Sequence, residues 1–158
     1  MRKLLFTIFL IIVLTVQTHA EIIKLLCVSQ NRDPIIFHID YTNEKLKQEP
    51  ADWGDMYYDK NNIYLANIGK KDPDVGTLAY SKKINRLTGQ FTFTPVFLNE
   101  NQFQSFLGDV FKKRDELGID MKNKKLLKIL SDEILIRADK KNIVTASCSK
   151  KDKIENKF

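Results

Sequence analysis

The chain has few of the residues from which proteins build metal centres and acid–base sites. Its 158 residues include two histidines and two cysteines, and one histidine, His19, lies in an N-terminal segment that has its own explanation. Zinc takes about four ligands, mostly His and Cys, so no metal ion or other cofactor is predicted. The sequence also lacks Gly-x-Ser-x-Gly, a phosphate-binding glycine loop and His-Glu-x-x-His. No catalytic residue is therefore assigned.

Internal repeats, low-complexity linkers and compact basic clusters are also missing. Lys and Arg total 26 against 20 Asp and Glu, and the lysines are spread along the chain. Nucleic-acid binding is not predicted, because it needs a concentrated basic surface. Residues 21–149 are predicted to form a single domain, followed by a charged tail over residues 150–158.

The first 20 residues have the pattern of a secretory signal peptide. Arg2 and Lys3 precede an apolar run over Leu4–Val16, and residues 18–20 put small side chains at the two positions that a signal peptidase reads. We therefore expect cleavage before Glu21 and a periplasmic or secreted product. No stable membrane insertion is expected once the signal has been removed.

Two cysteines remain in the exported part of the chain, one near each end. In an oxidising compartment, Cys27 and Cys148 are expected to form a disulfide, which would stabilise the fold by about 4–5 kcal/mol in the chain-entropy model. Two separate buried thiols are the alternative. A lipid anchor on Cys27 is rejected, because the preceding residue is the bulky Leu26.

Apolar runs and apolar–polar alternation predict short β-strands along the domain. Thr42–Asp59 is polar, contains Pro50 and Gly54, and is predicted to be a long loop. Pro95 indicates that its strand lies at a sheet edge or carries a bulge. The predicted strands are Ile22–Val28, Ile35–Tyr41, Ile63–Ile68, Thr77–Ile84 and Gln90–Leu98, and a closing hairpin is predicted from Glu133–Ala138 and Ile143–Cys148.

A helix is predicted after Leu98. Asn99 can cap its start, Gln102 stands at the capping-box position, and Gly118 is placed to end it. Met121–Ser131 remains open, as either a short helix or a strand. Short connections favour antiparallel pairing, so the predicted fold is α+β: a curved antiparallel β-sheet or small barrel of about six strands with one packed amphipathic helix.

Several short motifs suggest a family resemblance. They are the early Cys27, the hairpin sequence KINRLTGQF over residues 83–91, Cys148 near the end, and a final Lys157-Phe158. In these features the chain resembles a group of small exported bacterial proteins of unknown function. The resemblance covers most of the chain but implies no activity, so it assigns no site residue.

The richest patch of chemistry lies in the polar segment before residue 60. It combines the only tryptophan with a tyrosine and acidic residues, a composition that can stack on sugars or anchor a protein partner. Paired carboxylates also suit glycoside hydrolysis. The structural alternative is that the aromatic residues plug the end of the core. The candidate binding residues are Asp52, Trp53, Asp55, Tyr57 and Asp59.

The sequence favours a non-enzymatic, exported envelope or secreted binding protein, such as an inhibitor or ligand carrier, with an unknown protein or carbohydrate partner. A small carboxylate-based hydrolase and a structural envelope protein are the alternatives. His38 is interpreted as a cross-strand or surface partner, and Arg86 as a structural hydrogen-bond donor.

Overall fold

A computed structural model describes residues 22–30 and 32–151. The predicted signal peptide and the tail from residue 152 onward lie outside the described residues. Within the described part, no helix is both long and apolar enough to cross a membrane. The strands are β1 (Ile22–Ser29), β2 (Arg32–Asp40), β3 (Lys45–Gln48), β4 (Trp53–Asp55), β5 (Tyr57–Tyr58), β6 (Asn62–Asp72), β7 (Gly76–Asn85), β8 (Gln90–Leu98) and β9 (Val144–Lys150), and the helices are α1 (Glu100–Glu116) and α2 (Leu126–Arg137).

The nine strands form one antiparallel sheet that curls into a nearly closed barrel. Its order is β4-β3-β2-β1-β9-β8-β7-β6-β5, so the two edge strands, β4 and β5, are consecutive in the chain. Only Met56 separates them, and its side chain is fully buried. Two sheet edges joined by one residue must lie side by side, which explains the curling. The α+β class and the curved antiparallel sheet are confirmed, with nine strands instead of about six.

The predicted disulfide is present and joins the two ends of the described chain. Cys27 lies directly opposite Cys148 in the β1–β9 pair, with a Cα–Cα distance of 3.9 Å. The turn of the KINRLTGQF segment packs against this pair, because the Gly89 carbonyl accepts a hydrogen bond from the Cys148 N–H at 2.8 Å. This part of the barrel is therefore held by both a covalent bond and backbone pairing.

Two hydrophobic cores lie on opposite faces of the sheet. The barrel interior is packed with large apolar side chains, including Phe37, Ile63 and Phe91, while the outer face of β6, β7 and β8 packs against both helices through residues such as Ala79. Successive residues of a strand point to opposite faces. Ser81 of β7 hydrogen-bonds Ser131 of α2 on the outer face, so the next residue, Lys82, points into the barrel.

The prediction that Thr42–Asp59 is a long loop was wrong. This segment contains β3, β4 and β5. These strands are only two to four residues long, and their side chains are mostly polar because one face meets solvent. Leu46 and Met56 are the buried residues of the segment that join the barrel core. Such short strands form through pairing with β2 and β6, and local alternation does not reveal them.

The predicted strand over Glu133–Ala138 was also wrong, and so was the expectation of one helix. Residues Leu126–Arg137 form α2. The segment 121–131, for which the sequence left helix and strand open, is therefore partly helical. Ile129 and Ile134 are buried against the outer face of the sheet. Glu133 is 3% exposed and forms ion pairs with Lys113 of α1 and Arg137. Packing of the apolar face and these pairs select the helix over a strand.

The start and the end of the first helix are confirmed. Asn99 and Gln102 form the reciprocal capping box, and Gly118 follows the helix with a φ of 61°. Pro95 lies in an internal strand, but β9 pairs only with residues 90–93 of β8. From Thr94 onward, β8 is therefore unpaired on that side among the described strands, which gives proline the edge position that it needs.

Candidate functional site

The two aromatic residues predicted as binding residues have different aromatic partners. Trp53 is 41% exposed and meets the His38 ring edge-on, with centroids 6.4 Å apart. It is therefore not a buried plug. Tyr57 stacks on Tyr64 with centroids 6.1 Å apart. His38 itself contacts Glu49 at 2.6 Å, in agreement with its interpretation as a cross-strand partner.

Asp55 takes part in an ion-pair cluster. Its carboxylate lies 2.8 Å from the Lys45 ammonium and 3.7 Å from that of Lys124. The hydrogen bond from Lys45 holds the pKa of Asp55 below its usual value. Two lysines thus balance this carboxylate, and it ties β3 and the segment before α2 to β4.

Asp59 stabilises the turn between β5 and β6. Its side chain accepts hydrogen bonds from the backbone N–H groups of Asn61 and Asn62, both at 2.8 Å, and from the Tyr64 hydroxyl at 3.1 Å. Burial and the nearby Asp59 raise the pKa of Tyr64 to about 12. Arg86 donates to the Asp59 carbonyl at 2.8 Å, which confirms Arg86 as a structural hydrogen-bond donor.

A pocket opens along the seam where the barrel fails to close. The seam lies between β4 and the part of β6 beyond Tyr64, because β5 pairs only with Ile63 and Tyr64. We call this cavity of about 350 Å³ the seam pocket. It belongs to the end of the barrel at which β9 begins, which we call the upper end. Its lining includes Leu46, Asp52, Gly54 and Asp55 from one side, and Leu65, Asn67, Tyr80 and Lys82 from the other.

Lys82 is the unusual residue of the seam pocket. Its cross-strand neighbours are Leu65 and Phe93, and both pack against the barrel core. Its ammonium lies 5.4 Å from the centre of the Tyr80 ring. Among the described residues it forms no ion pair, and burial lowers its pKa below the ordinary value. The barrel thus holds a partly desolvated positive charge without a protein counter-charge.

Neutral and acidic polar groups line the opening above this charge. The Asn67 side-chain amide contacts the Tyr80 hydroxyl at 3.4 Å, and Gln48 lines the opposite wall. Asp52 is exposed at the rim and forms no ion pair with the described residues around it. Below Lys82, the next interior layer is the buried pair Ile84 and Phe91. The pocket therefore combines one cation with apolar side chains and with a polar rim that includes two carboxylates.

The structure brings Asp52 and Asp55 of the predicted set to one pocket, and it leaves Trp53, Tyr57 and Asp59 outside its lining. The sequence analysis missed Lys82. The sequence could have revealed it through the alternation of β7, where Leu78, Tyr80, Lys82 and Ile84 lie on one face of the strand. A charged residue among large apolar side chains on the same face of a strand indicates a cation inside the barrel.

Comparisons with protein-family models, with curated protein sequences and with solved structures give no significant match. Within residues 22–30 and 32–151, no three His, Cys, Asp or Glu side chains are grouped so that they could hold a metal ion. The function is therefore argued from the geometry of this chain.

Proposed function

We propose that this protein is an exported, non-enzymatic binding protein that carries a small organic anion in the seam pocket. The observation that carries the proposal is Lys82, a cation on the inner face of the barrel without a carboxylate partner among the described residues. A buried charge is costly unless it is paired. A ligand carboxylate at this position would supply the missing partner.

The size and lining of the pocket support a small ligand. Ligand sites are typically concave cavities of roughly 300–1,000 Å³, and the seam pocket of about 350 Å³ falls within this range, with both apolar and polar side chains in its lining. Lys82 would bind the anionic group, and Asn67 and Tyr80 would offer hydrogen bonds beside it. Leu46 and Leu65 would cover the apolar part.

The contacts of the acidic residues support a carrier over the hydrolase alternative. A carboxylate pair for hydrolysis must flank the same bond. Asp55 is engaged by Lys45 and Lys124, and Asp59 by the turn that it caps. These contacts account for both carboxylates as parts of the fold.

Export forms the second part of the proposal. The Cys27–Cys148 disulfide fits a protein that matures in an oxidising compartment, and the N-terminal pattern at residues 1–20 supports a periplasmic or secreted location. N-terminal sequencing of the protein from the periplasm or the medium should begin at Glu21. A cytoplasmic product that retains Met1 would contradict export.

Binding is tested by calorimetric titration of the oxidised, exported protein with butanoate and benzoate. Butanamide and butylammonium serve as neutral and cationic analogues. Because a hydrogen bond to a charged group contributes about 1.5–3 kcal/mol, Lys82→Met should weaken anion binding at least about tenfold. Asp52→Asn should strengthen it, since the variant removes a negative charge from the rim.

Lys83→Met is the matched control. Lys83 is the adjacent lysine of the same strand, and its side chain lies on the opposite face of the sheet. This variant should bind the anions as the wild type does. Equal affinity of the wild type for butanamide and butanoate, or unchanged binding by Lys82→Met, would overturn the proposal.

A further inference from the structure

A second cleft lies at the upper end of the barrel. It has a volume of about 780 Å³ and lies between the β1–β2 turn, the start of β9 and the free part of β8. We call it the β8 cleft. Its apolar wall is formed by Phe93, Pro95 and Phe97, which alternate along one face of β8. Phe97 is 57% exposed, a large apolar surface left open to solvent.

Lining residues of the two cavities lie side by side in cross-strand pairs of β7 and β8. Phe93 pairs with Lys82, Pro95 with Tyr80, and Phe97 with Leu78. Directly opposite residues in a sheet share a face. Side chains of these pairs therefore form a continuous strip that leads from the Lys82 ammonium to the open rim. The Tyr80 ring of the seam pocket and the Phe93 ring of the β8 cleft pack together, with centroids 6.0 Å apart.

The length of this strip and its charge bear on the ligand. Phe93 and Phe97 are four residues apart, which is about 13 Å at the rise of a β-strand. The charged side chains that line the β8 cleft, Arg32 and Lys141, are both basic and form no ion pair among the described residues. The cleft therefore attracts anions to the rim. Only the β8 side of the cleft, at Phe93, Pro95 and Phe97, is a continuous apolar surface, and the facing side is mostly polar.

We propose that the ligand is an amphipathic carboxylate, whose head group binds Lys82 and whose alkyl chain lies along the strip from Phe93 to Phe97. This proposal rests on the proposed function and specifies its ligand class. An alkyl chain is favoured over a polar extension, because the exposed Phe97 would be covered by it. The chain would replace water on an apolar surface that the protein leaves open.

The test is a chain-length series, measured by titration of the oxidised protein with butanoate, hexanoate, octanoate and decanoate below their micelle concentrations. Burial of one methylene strengthens binding about fourfold at most, so the affinity should rise steadily from butanoate to decanoate. In Phe97→Ser, butanoate should bind as it does to the wild type, while decanoate should bind at least about tenfold more weakly. Phe111→Ser is the matched control, since Phe111 is an exposed aromatic residue of α1 outside the cleft.

The outcomes separate the two proposals. An affinity that does not depend on chain length, or a chain-length dependence that Phe97→Ser leaves unchanged, would overturn the alkyl-chain proposal. If Lys82→Met still abolished butanoate binding, the seam pocket would remain an anion site. If Lys82→Met bound every member of the series as the wild type does, both proposals would fail.

Discussion

Replacing Lys82 by methionine should make the protein more stable, although it should weaken ligand binding. Lys82 is partly buried and lies between Leu65 and Phe93 in the sheet, and its ammonium lies over the Tyr80 ring. No carboxylate among the described residues pairs with it. Methionine is unbranched and only one atom shorter than lysine, and it carries no charge. The variant therefore removes a cost that the folded protein carries in the absence of ligand.

The expected gain follows from the environment of the side chain. Burial of a polar group without a hydrogen bond costs roughly 1–3 kcal/mol in protein mutational data. Because Lys82 is only partly buried, we expect the lower end of that range, about 1 kcal/mol. For a domain of this size, such a gain corresponds to a rise in Tm of roughly 3–5 °C.

The pH dependence gives an independent measurement of the same effect. Burial lowers the folded-state pKa of Lys82 below its ordinary value of 10.5. At a pH below the folded-state pKa, Lys82 is charged in both the folded and the unfolded protein, and the full free-energy cost of burying the charge is present. At a pH above the ordinary pKa, Lys82 is neutral in both, and this cost is absent. The stability advantage of Lys82→Met should therefore shrink as the pH rises through this window.

Urea unfolding followed by far-ultraviolet circular dichroism measures both effects, with Lys83→Met as the control. A Lys82→Met variant that is less stable than the wild type at pH 7, while Lys83→Met is unchanged, would refute the reasoning. It would mean that the Lys82 ammonium already has a favourable partner. An advantage that stays constant up to the ordinary lysine pKa would show that packing causes it, and charge does not.

Three further changes test the fold. Replacement of both Cys27 and Cys148 by serine should lower the stability, measured by urea unfolding, by about 2–5 kcal/mol. Unchanged stability would contradict a structural role for the disulfide. Gly89→Ala should lower the Tm, because the backbone of Gly89 has a φ of +69° and a Cβ would lie 2.4 Å from the Cys148 carbonyl oxygen. We expect a loss of stability of about 1–3 kcal/mol. A calorimetric Tm equal to that of the wild type would show that the turn relaxes freely. Asn99→Ala should cost about 1 kcal/mol by removing the helix cap, and chemical denaturation with no shift in midpoint would argue against the capping box.

Local sequence patterns predicted much of the sheet. Gln90–Leu98 was predicted with the observed bounds, and the first helix was predicted from a cap, an apolar face and a terminal glycine that are all local signals. The disulfide was predicted from the number of cysteines and the expected compartment. The strand and the helix depend on residues that are close together in the sequence. The disulfide requires only that the fold bring two cysteines into contact.

The candidate site was predicted less well. The composition of residues 52–59 drew attention to Asp52 and Asp55, which line the seam pocket, but also to Trp53, Tyr57 and Asp59, which do not. Lys82 was missed, because a lysine in a strand is usually solvated. Only the pairing of β7 with β6 and β8 shows that this lysine lies between Leu65 and Phe93.

By itself, the sequence determined the α+β class, the capped first helix and the cysteine pair, because periodicity, capping and composition act over short distances. It also predicts export. The tertiary structure decided the closure of the sheet, the short strands before residue 60 and the helix over Leu126–Arg137. It also decided the position of Lys82 within the barrel. These features depend on contacts between residues far apart in the chain: β5 and β6 set where the seam opens, and the two cores decide which face of each strand is buried.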